Sequence, residues 1–303
     1  MDQRVTKEAG DIIRVRVPWR ARAGAYAELT KPLQTALLMV TGIGAYLMGA
    51  AGAVSWPTFS AGMAGLAAAV AGSTALNMVL DRDIDRVMDR TGRRPLPSGR
   101  ISVASAWAFG LGMAVIGLAV SWAADALFGL VVTLGLLFDV VVYTMWLKRR
   151  SAASILIGGI AGGMPALAGR VLAIGAVDVV GLLLAAGVVL WIPAHILTLA
   201  MRHADEYRRA GVPVWPAVHG EGSTRRVIAV ATTGAAGVLL AAGVRADVHV
   251  VALAGLGLAG AVMVVLALFA LLRPSERRNW ALFKAASLYM AFAFVCLTLG
   301  SVI

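Results

Sequence analysis

Long apolar runs dominate the chain, and short polar stretches interrupt them at nearly regular intervals. A helix needs about 20 mostly apolar residues to cross the roughly 30 Å hydrocarbon layer of a bilayer. Nine segments meet that length: 33–52, 58–80, 103–123, 126–147, 152–174, 179–201, 227–244, 248–272 and 280–302. None alternates with period two, as barrel strands do, so helices are the expected spanning element. Glycine and alanine recur inside these segments, and small residues let membrane helices approach closely. The pattern predicts an all-α integral membrane protein with nine transmembrane helices. A basic N-terminal segment over 1–32 precedes one membrane body over 33–303, whose longest polar loops are 81–102 and 202–226.

Composition sharpens this picture. The chain is 60% hydrophobic and 14% charged, against about half and about a quarter for a soluble domain. An ordinary soluble enzyme and a disordered chain are both excluded. Lys and Arg number 27 against 16 Asp and Glu, a net charge of +11. In a soluble protein that balance would suggest nucleic acid. Here the N-terminal segment, the loops 81–102, 148–151, 202–226 and 273–279, and Lys284 hold every Lys and Arg except Arg170 and Arg245. The opposite loops hold little charge beyond Asp125, Asp178 and Asp247. The positive-inside rule places the N-terminus and the long loops in the cytoplasm and the C-terminus outside. It explains the charge with no nucleic-acid partner. Cys296 is the only cysteine, which excludes an intrachain disulfide and a multi-cysteine metal site. The N-terminus lacks the apolar core and cleavage site of a signal peptide. Its IIRVRVPWRAR stretch, 12–22, reads as a topogenic signal or as a contact with anionic headgroups.

The most informative stretch is NMVLDRDIDRVMDRTGRRPLPSGRIS, 77–102. Asn77, Asp81, Asp85 and Asp89 recur every four residues, which puts them on one helix face, a turn apart. Carboxylates this close repel each other unless a cation sits between them. Hard oxygen ligands suit Mg²⁺, which often binds one or two carboxylates plus substrate phosphates. The adjacent arginines suit phosphate oxygens through forked hydrogen bonds. A solvated loop with intrahelical Asp–Arg pairs would carry the same spacing, but Asn77 lies inside the end of a span, where a polar side chain suggests function.

Asn77-x-x-x-Asp81-x-x-x-Asp85 resembles the first aspartate-rich motif of the UbiA superfamily of intramembrane prenyltransferases. DRDIDRVMDRTGRRPL, 81–96, is more similar to the protoheme IX farnesyltransferase (heme O synthase) branch. Stretches 141–169, 191–218 and 281–290 follow that branch in the same order, so the resemblance runs from about Leu29 to Met290. It implies nine helices bundled around a central cavity open to lipid. It implies Mg²⁺-dependent transfer of a farnesyl group from farnesyl diphosphate to a vinyl group of heme, with an aromatic, quinone-precursor or lipid acceptor as the alternative. Asn77, Asp81 and Asp85 would hold the metal and diphosphate. Arg86, Arg90, Arg94, Lys148 and Arg149 would neutralise phosphate charge. Arg202, Asp205, Glu206 and Tyr207 form a second polar loop, weaker in carboxylates than in most of the superfamily and reduced as in the heme branch. Heme A synthase or oxidase assembly factors follow as expected partners, beside membrane lipid.

Five residues stand apart. His195 lies inside the sixth span and matches the family's histidine, with ligation of heme iron, proton handling or a helix–helix hydrogen bond as its readings. Asp139 and Arg170 occupy positions where the family usually has an aromatic. They would pair if helices four and five pack in that register. Arg170 could otherwise meet a heme propionate or snorkel to the outer interface, and either residue could touch the acceptor. Tyr143 and Trp191 are acceptor-side candidates, or members of an interfacial aromatic belt with Trp146. A transporter is the main reading from another class, but it fits poorly with charges confined to one side and no inverted repeat.

Overall fold

The structure, a computed structural model, describes residues 19–303. The IIRVRVPWRAR stretch therefore lies largely outside the described residues. Twelve helices follow the chain: α1 Trp19–Leu29, α2 Pro32–Ala50, α3 Trp56–Leu80, α4 Arg82–Val87, α5 Val103–Ala124, α6 Ala126–Leu147, α7 Ser154–Ile174, α8 Val179–Arg202, α9 Ala204–Arg209, α10 Trp215–Arg245, α11 Val250–Leu272 and α12 Glu276–Gly300. Nine of them, α2, α3, α5 to α8 and α10 to α12, are long and apolar enough to span a membrane. They match the segments read from hydropathy, except that α10 begins twelve residues earlier, at Trp215 against 227. Its first turns are polar, and Gly220 at φ 74° breaks the helix before the apolar part begins.

Each span packs on the next around the bundle, and α12 returns to α2, closing it. The tightest early joint is α3 on α5, where small residues let the backbones approach. A Cβ on Gly72 would lie 2.5 Å from the Ala114 amide nitrogen, and one on Gly65 2.7 Å from Ser121 Oγ. Without a hydrophobic force between helices in lipid, such close packing is what holds them together.

The end of the bundle that carries the long loops is the more elaborate one. Residues 19–29, within the basic N-terminal segment, form α1. Its Ala25 and Leu29 are buried with Met78 and Val79 of α3 and with Leu96 and Ile101 of the following loop. Arg100 forks Glu28 at 2.6 and 2.7 Å and also donates to the Arg93 carbonyl at 2.9 Å, tying α1 to loop 81–102. In two helices the turn widens near this end. In α6 the stretch Phe138–Leu147 is wound wide, and Lys148 N donates to Tyr143 O, five residues back. In α8 the stretch is Pro193–Leu197, where Pro193 has no N–H to give the preceding turn. Such widened turns re-aim side chains and recur at functional sites.

Candidate active site

The acidic motif sits at the joint between α3 and α4. Asp81 N donates to Asn77 O at 2.9 Å and Asp85 N to Asp81 O at 2.8 Å, so helical spacing continues through the break and keeps the three side chains on one face. All three are buried, at 7%, 5% and 4% exposure. A buried carboxylate requires a partner. Lys148 Nζ donates to Asp81 Oδ2 at 2.5 Å, and Arg94 forks Asp85 at 2.9 Å to each oxygen. Arg94 reaches back because residues 88–99 fold into successive turns, pinned by Thr91 Oγ1 donating to Asp85 O. Lys148 arrives from the wide stretch of α6.

Asp81 Oδ1 is buried and has no hydrogen-bond partner among the described residues. This oxygen, with the Asn77 and Asp85 side chains beside it, is the chemistry a hard divalent cation takes. Among the described residues, no three His, Cys, Asp or Glu side chains stand close enough to hold a metal by themselves. A cation held by these side chains would need further oxygens to complete its shell, as Mg²⁺ often takes from waters and phosphates.

Lys31 belongs to the same cluster and was not anticipated from the sequence. It precedes α2 in a left-handed conformation, φ 45°, ψ 68°, uncommon for a non-glycine residue. Burial pushes its ammonium down to about 8, helped by Arg94 and Lys148 and opposed by Asp139 and Asp81. Lys148 moves the other way. Burial would lower it, but Asp81 and Tyr143 more than reverse this and hold it above the ordinary lysine value. Tyr143 lies beneath Lys148, whose Nζ is 5.9 Å from its ring centre, and Tyr207 from the second loop acts on both. Three cations, Lys31, Arg94 and Lys148, thus face three carboxylates, Asp81, Asp85 and Asp139.

The other expected phosphate-facing cations are placed differently. Arg86 and Arg90 are exposed. Arg149 forks Asp83 at 2.7 Å on the outer flank and holds that carboxyl down at about 2. Loop two meets loop one directly. Glu206 accepts from Arg90 N at 3.2 Å and pairs with His203 Nδ1 at 2.6 Å, and Arg209 reaches Asp89 at 3.1 Å. Burial raises the Glu206 carboxyl, but His203 and the Arg90 amide outweigh it and leave it below the usual range. Asp205 is exposed and paired with Arg208, and Arg202 lies over Trp280 at 4.8 Å. Of the second polar loop, Tyr207 is the residue that acts on Lys148 and Tyr143 of the cluster.

His195 stands in the wide stretch of α8, between two rings. Trp191 stacks on one face at 5.0 Å and 13°, and Phe283 on the other at 4.7 Å and 14°. Trp191 is buried and donates Nε1–H to Ala286 O at 2.7 Å, which places it inside the bundle and not in an interfacial belt. Both faces of the imidazole are covered, so only its edge can react. Nδ1 meets Ser287 Oγ at 3.1 Å, leaving Nε2.

Asp139 and Arg170 do not pair, which corrects that expectation. Asp139 turns to Ser73 and Asn77 of α3. Arg170 lies sixteen residues along α7 from Ser154, about 24 Å at 1.5 Å per residue, and so at the opposite end of the bundle. There it forks Asp178, at 2.8 Å and 3.2 Å, which also caps α8 through Gly181 N. Its charge is satisfied far from the acidic cluster.

Over residues 37–295 the sequence matches the UbiA prenyltransferase family. A protoheme IX farnesyltransferase of Desulforudis audaxviator is 39% identical over 290 residues, covering 93% of this chain and 89% of its own. Another, of Thermofilum pendens, is 39% identical over 277 residues, covering 90% and 96%. Among solved structures, digeranylgeranylglyceryl phosphate synthase aligns with a TM-score of 0.77 at 18% identity, over 93% of this chain and 99% of that one. A UbiA homologue from Archaeoglobus fulgidus, bound to DMAPP and Mg²⁺, aligns with a TM-score of 0.67 at 16% identity, over 90% and 98%. At those identities the structural likeness establishes the fold.

Proposed function

The chain belongs to the UbiA prenyltransferase family, and from that premise we propose that it transfers a farnesyl group from farnesyl diphosphate to a vinyl group of protoheme IX, giving heme O. The observation that carries the donor half is the buried Asn77–Asp81–Asp85 face with the partnerless Asp81 Oδ1 among three cations. The acceptor is supported by the relatives named protoheme IX farnesyltransferase, 39% identical over nine-tenths of the chain.

Asn77, Asp81 and Asp85 would hold Mg²⁺ with the diphosphate. The metal, when bound, supplies positive charge to oxygens that become more negative as the allylic C–O bond breaks. Lys148, Lys31 and Arg94 add fixed positive charge at the same place, and fixed charges need no reorganisation during reaction. The allylic cation left behind must be shielded from water until the vinyl group attacks it. The two loops, latched by Glu206 on Arg90 N and by Arg209 on Asp89, close that end of the bundle. Attack by the vinyl carbon moves the positive charge to its neighbour. Water then adds there and loses a proton, giving the hydroxyethylfarnesyl side chain. His195 serves the acceptor side, since Nε2 is a nitrogen suited to heme iron or to that proton. In this reading the catalytic end faces the cytoplasm, as the charge distribution requires.

The test uses purified protein in lipid with Mg²⁺, farnesyl diphosphate and protoheme IX, with extracted pigments read by mass and absorbance. A hydroxyethylfarnesyl heme is expected. Mg²⁺-dependent release of diphosphate with no heme product would keep the donor half and discard heme as acceptor.

A further inference from the structure

Asp139 is a carboxylate inside a membrane span that makes no direct ion pair among the described residues; its bonds go to neutral side chains. Its Oδ2 accepts from Ser73 Oγ and, at 2.8 Å, from Asn77 Nδ2. On the other side of the same amide, Asn77 Oδ1 accepts from Thr144 Oγ1 at 2.7 Å. Thr144 lies one wide turn beyond Asp139, and its hydroxyl is also 2.8 Å from the Asp139 carbonyl oxygen. Ser73, Asn77 and Thr144 are all buried. Helix α6 therefore grips the Asn77 amide at both ends, through residues 62 and 67 positions away in sequence. We propose that Asp139 is a positioning residue of the metal–diphosphate site: it fixes the Asn77 carboxamide from behind, so that Oδ1 keeps the orientation a metal ligand requires. The proposal rests on reading Asn77 as part of that site.

The chemistry of the partners selects the orientation. The two ends of a carboxamide are nearly alike in shape, so sterics alone do not fix which one faces the site. The Asp139 Oδ2 that accepts from Ser73 is an acceptor, so it takes the NH₂ end. The oxygen is left to a hydroxyl donor, which occupies one lone pair and leaves the second free. A carboxylate behind the NH₂ also polarises the amide toward its oxygen, as outer-shell carboxylates do for metal-bound histidines. A wide turn suits this task, because it brings residues five apart, Asp139 and Thr144, to one amide.

The experiment titrates farnesyl diphosphate into full-length protein in lipid nanodiscs at graded Mg²⁺ and reads the apparent Mg²⁺ affinity by calorimetry. Variants are Asp139→Leu, Asp139→Asn, Asn77→Ala and the double variant Asn77→Ala with Asp139→Leu. Loss of an outer-shell partner typically weakens metal affinity about 10–100-fold, and Asp139→Leu should do the same. Asp139→Asn keeps an oxygen that can accept from both Ser73 and Asn77, so most of the affinity should remain. In the Asn77→Ala background, Asp139→Leu should change nothing further, since Asp139 acts through Asn77. Unchanged Mg²⁺ affinity in Asp139→Leu, or additive losses in the double variant, would overturn the proposal. Unchanged affinity in Asn77→Ala would instead remove the reading on which it rests. If Asp139→Leu does not fold, Asp139→Ser, too short to reach the amide, takes its place with the same expectations.

Discussion

Replacing Lys148 by Met separates the structural from the catalytic work of the site. The Lys148–Asp81 pair is 2.5 Å long, and its side chains are 17% and 7% exposed. Met keeps most of the aliphatic stem and removes the charge. Asp81 Oδ1 already has no partner, so the variant leaves both oxygens of a buried carboxylate unsatisfied. Breaking a buried pair by removing one partner costs about 3–5 kcal/mol. Lys148 sits at the end of a span, where water has some access, so about 3 kcal/mol is expected. A divalent cation can replace the lost ammonium. The variant should therefore melt below wild type without metal and recover part of the difference in millimolar Mg²⁺, while wild type responds little. Turnover should fall about 10²–10³-fold, the usual cost of removing one preorganised charge or donor from a developing anion. Thermal melts in detergent with and without Mg²⁺, beside initial rates, measure both. Melting equal to wild type without metal, or turnover within about threefold of it, would refute the view that Lys148 balances Asp81 and serves the leaving group.

Three further outcomes follow. Lys31 titrates near 8, below an ordinary lysine, so it is charged at neutral pH and loses its charge as pH rises through that value. Diphosphate affinity at fixed Mg²⁺ should decline through about pH 8, and Lys31→Arg, which stays charged, should extend the plateau; identical profiles would contradict the assignment. His195→Ala should abolish the heme product and leave Mg²⁺-dependent diphosphate binding intact; loss of both would return His195 to a packing role. Arg170→Leu should cost about 1–3 kcal/mol by stranding a hydrogen-bonded carboxylate, with binding of farnesyl diphosphate and heme unchanged; weakened heme binding would restore the propionate role.

Spans are legible in sequence because a bilayer imposes a length and a polarity that few other environments impose. The donor motif is legible for a similar reason, since four-residue spacing on one helix needs no knowledge of neighbouring helices. What was hidden depends on register between distant elements. Asp139 reads as an anomaly until α6 is placed against α3, where Ser73, Asn77 and Thr144 account for it. Lys31 belongs to no motif, and its place beside Arg94, Lys148, Asp139 and Asp81 emerges only once the start of α2 is set against α3 and α6. Trp191 reads equally as a belt residue, and only the stack on His195 places it inside. The widened turns of α6 and α8 leave little trace in periodicity, though Pro193 marks one of them. Arg86 and Arg90 match the motif yet are exposed: Arg86 follows the buried Asp85 by one residue on α4, which puts it on another face, and Arg90 lies beyond the end of α4.

The central claim is that one buried face, Asn77, Asp81 and Asp85, holds the metal and the diphosphate. Calorimetric binding of farnesyl diphosphate to wild type and Asp81→Ala, each with Mg²⁺ and with chelator, tests it most directly. Wild type should bind with an affinity that Mg²⁺ strengthens markedly, and the variant weakly and with indifference to metal. Equal affinity and equal Mg²⁺ dependence in the two proteins would contradict it.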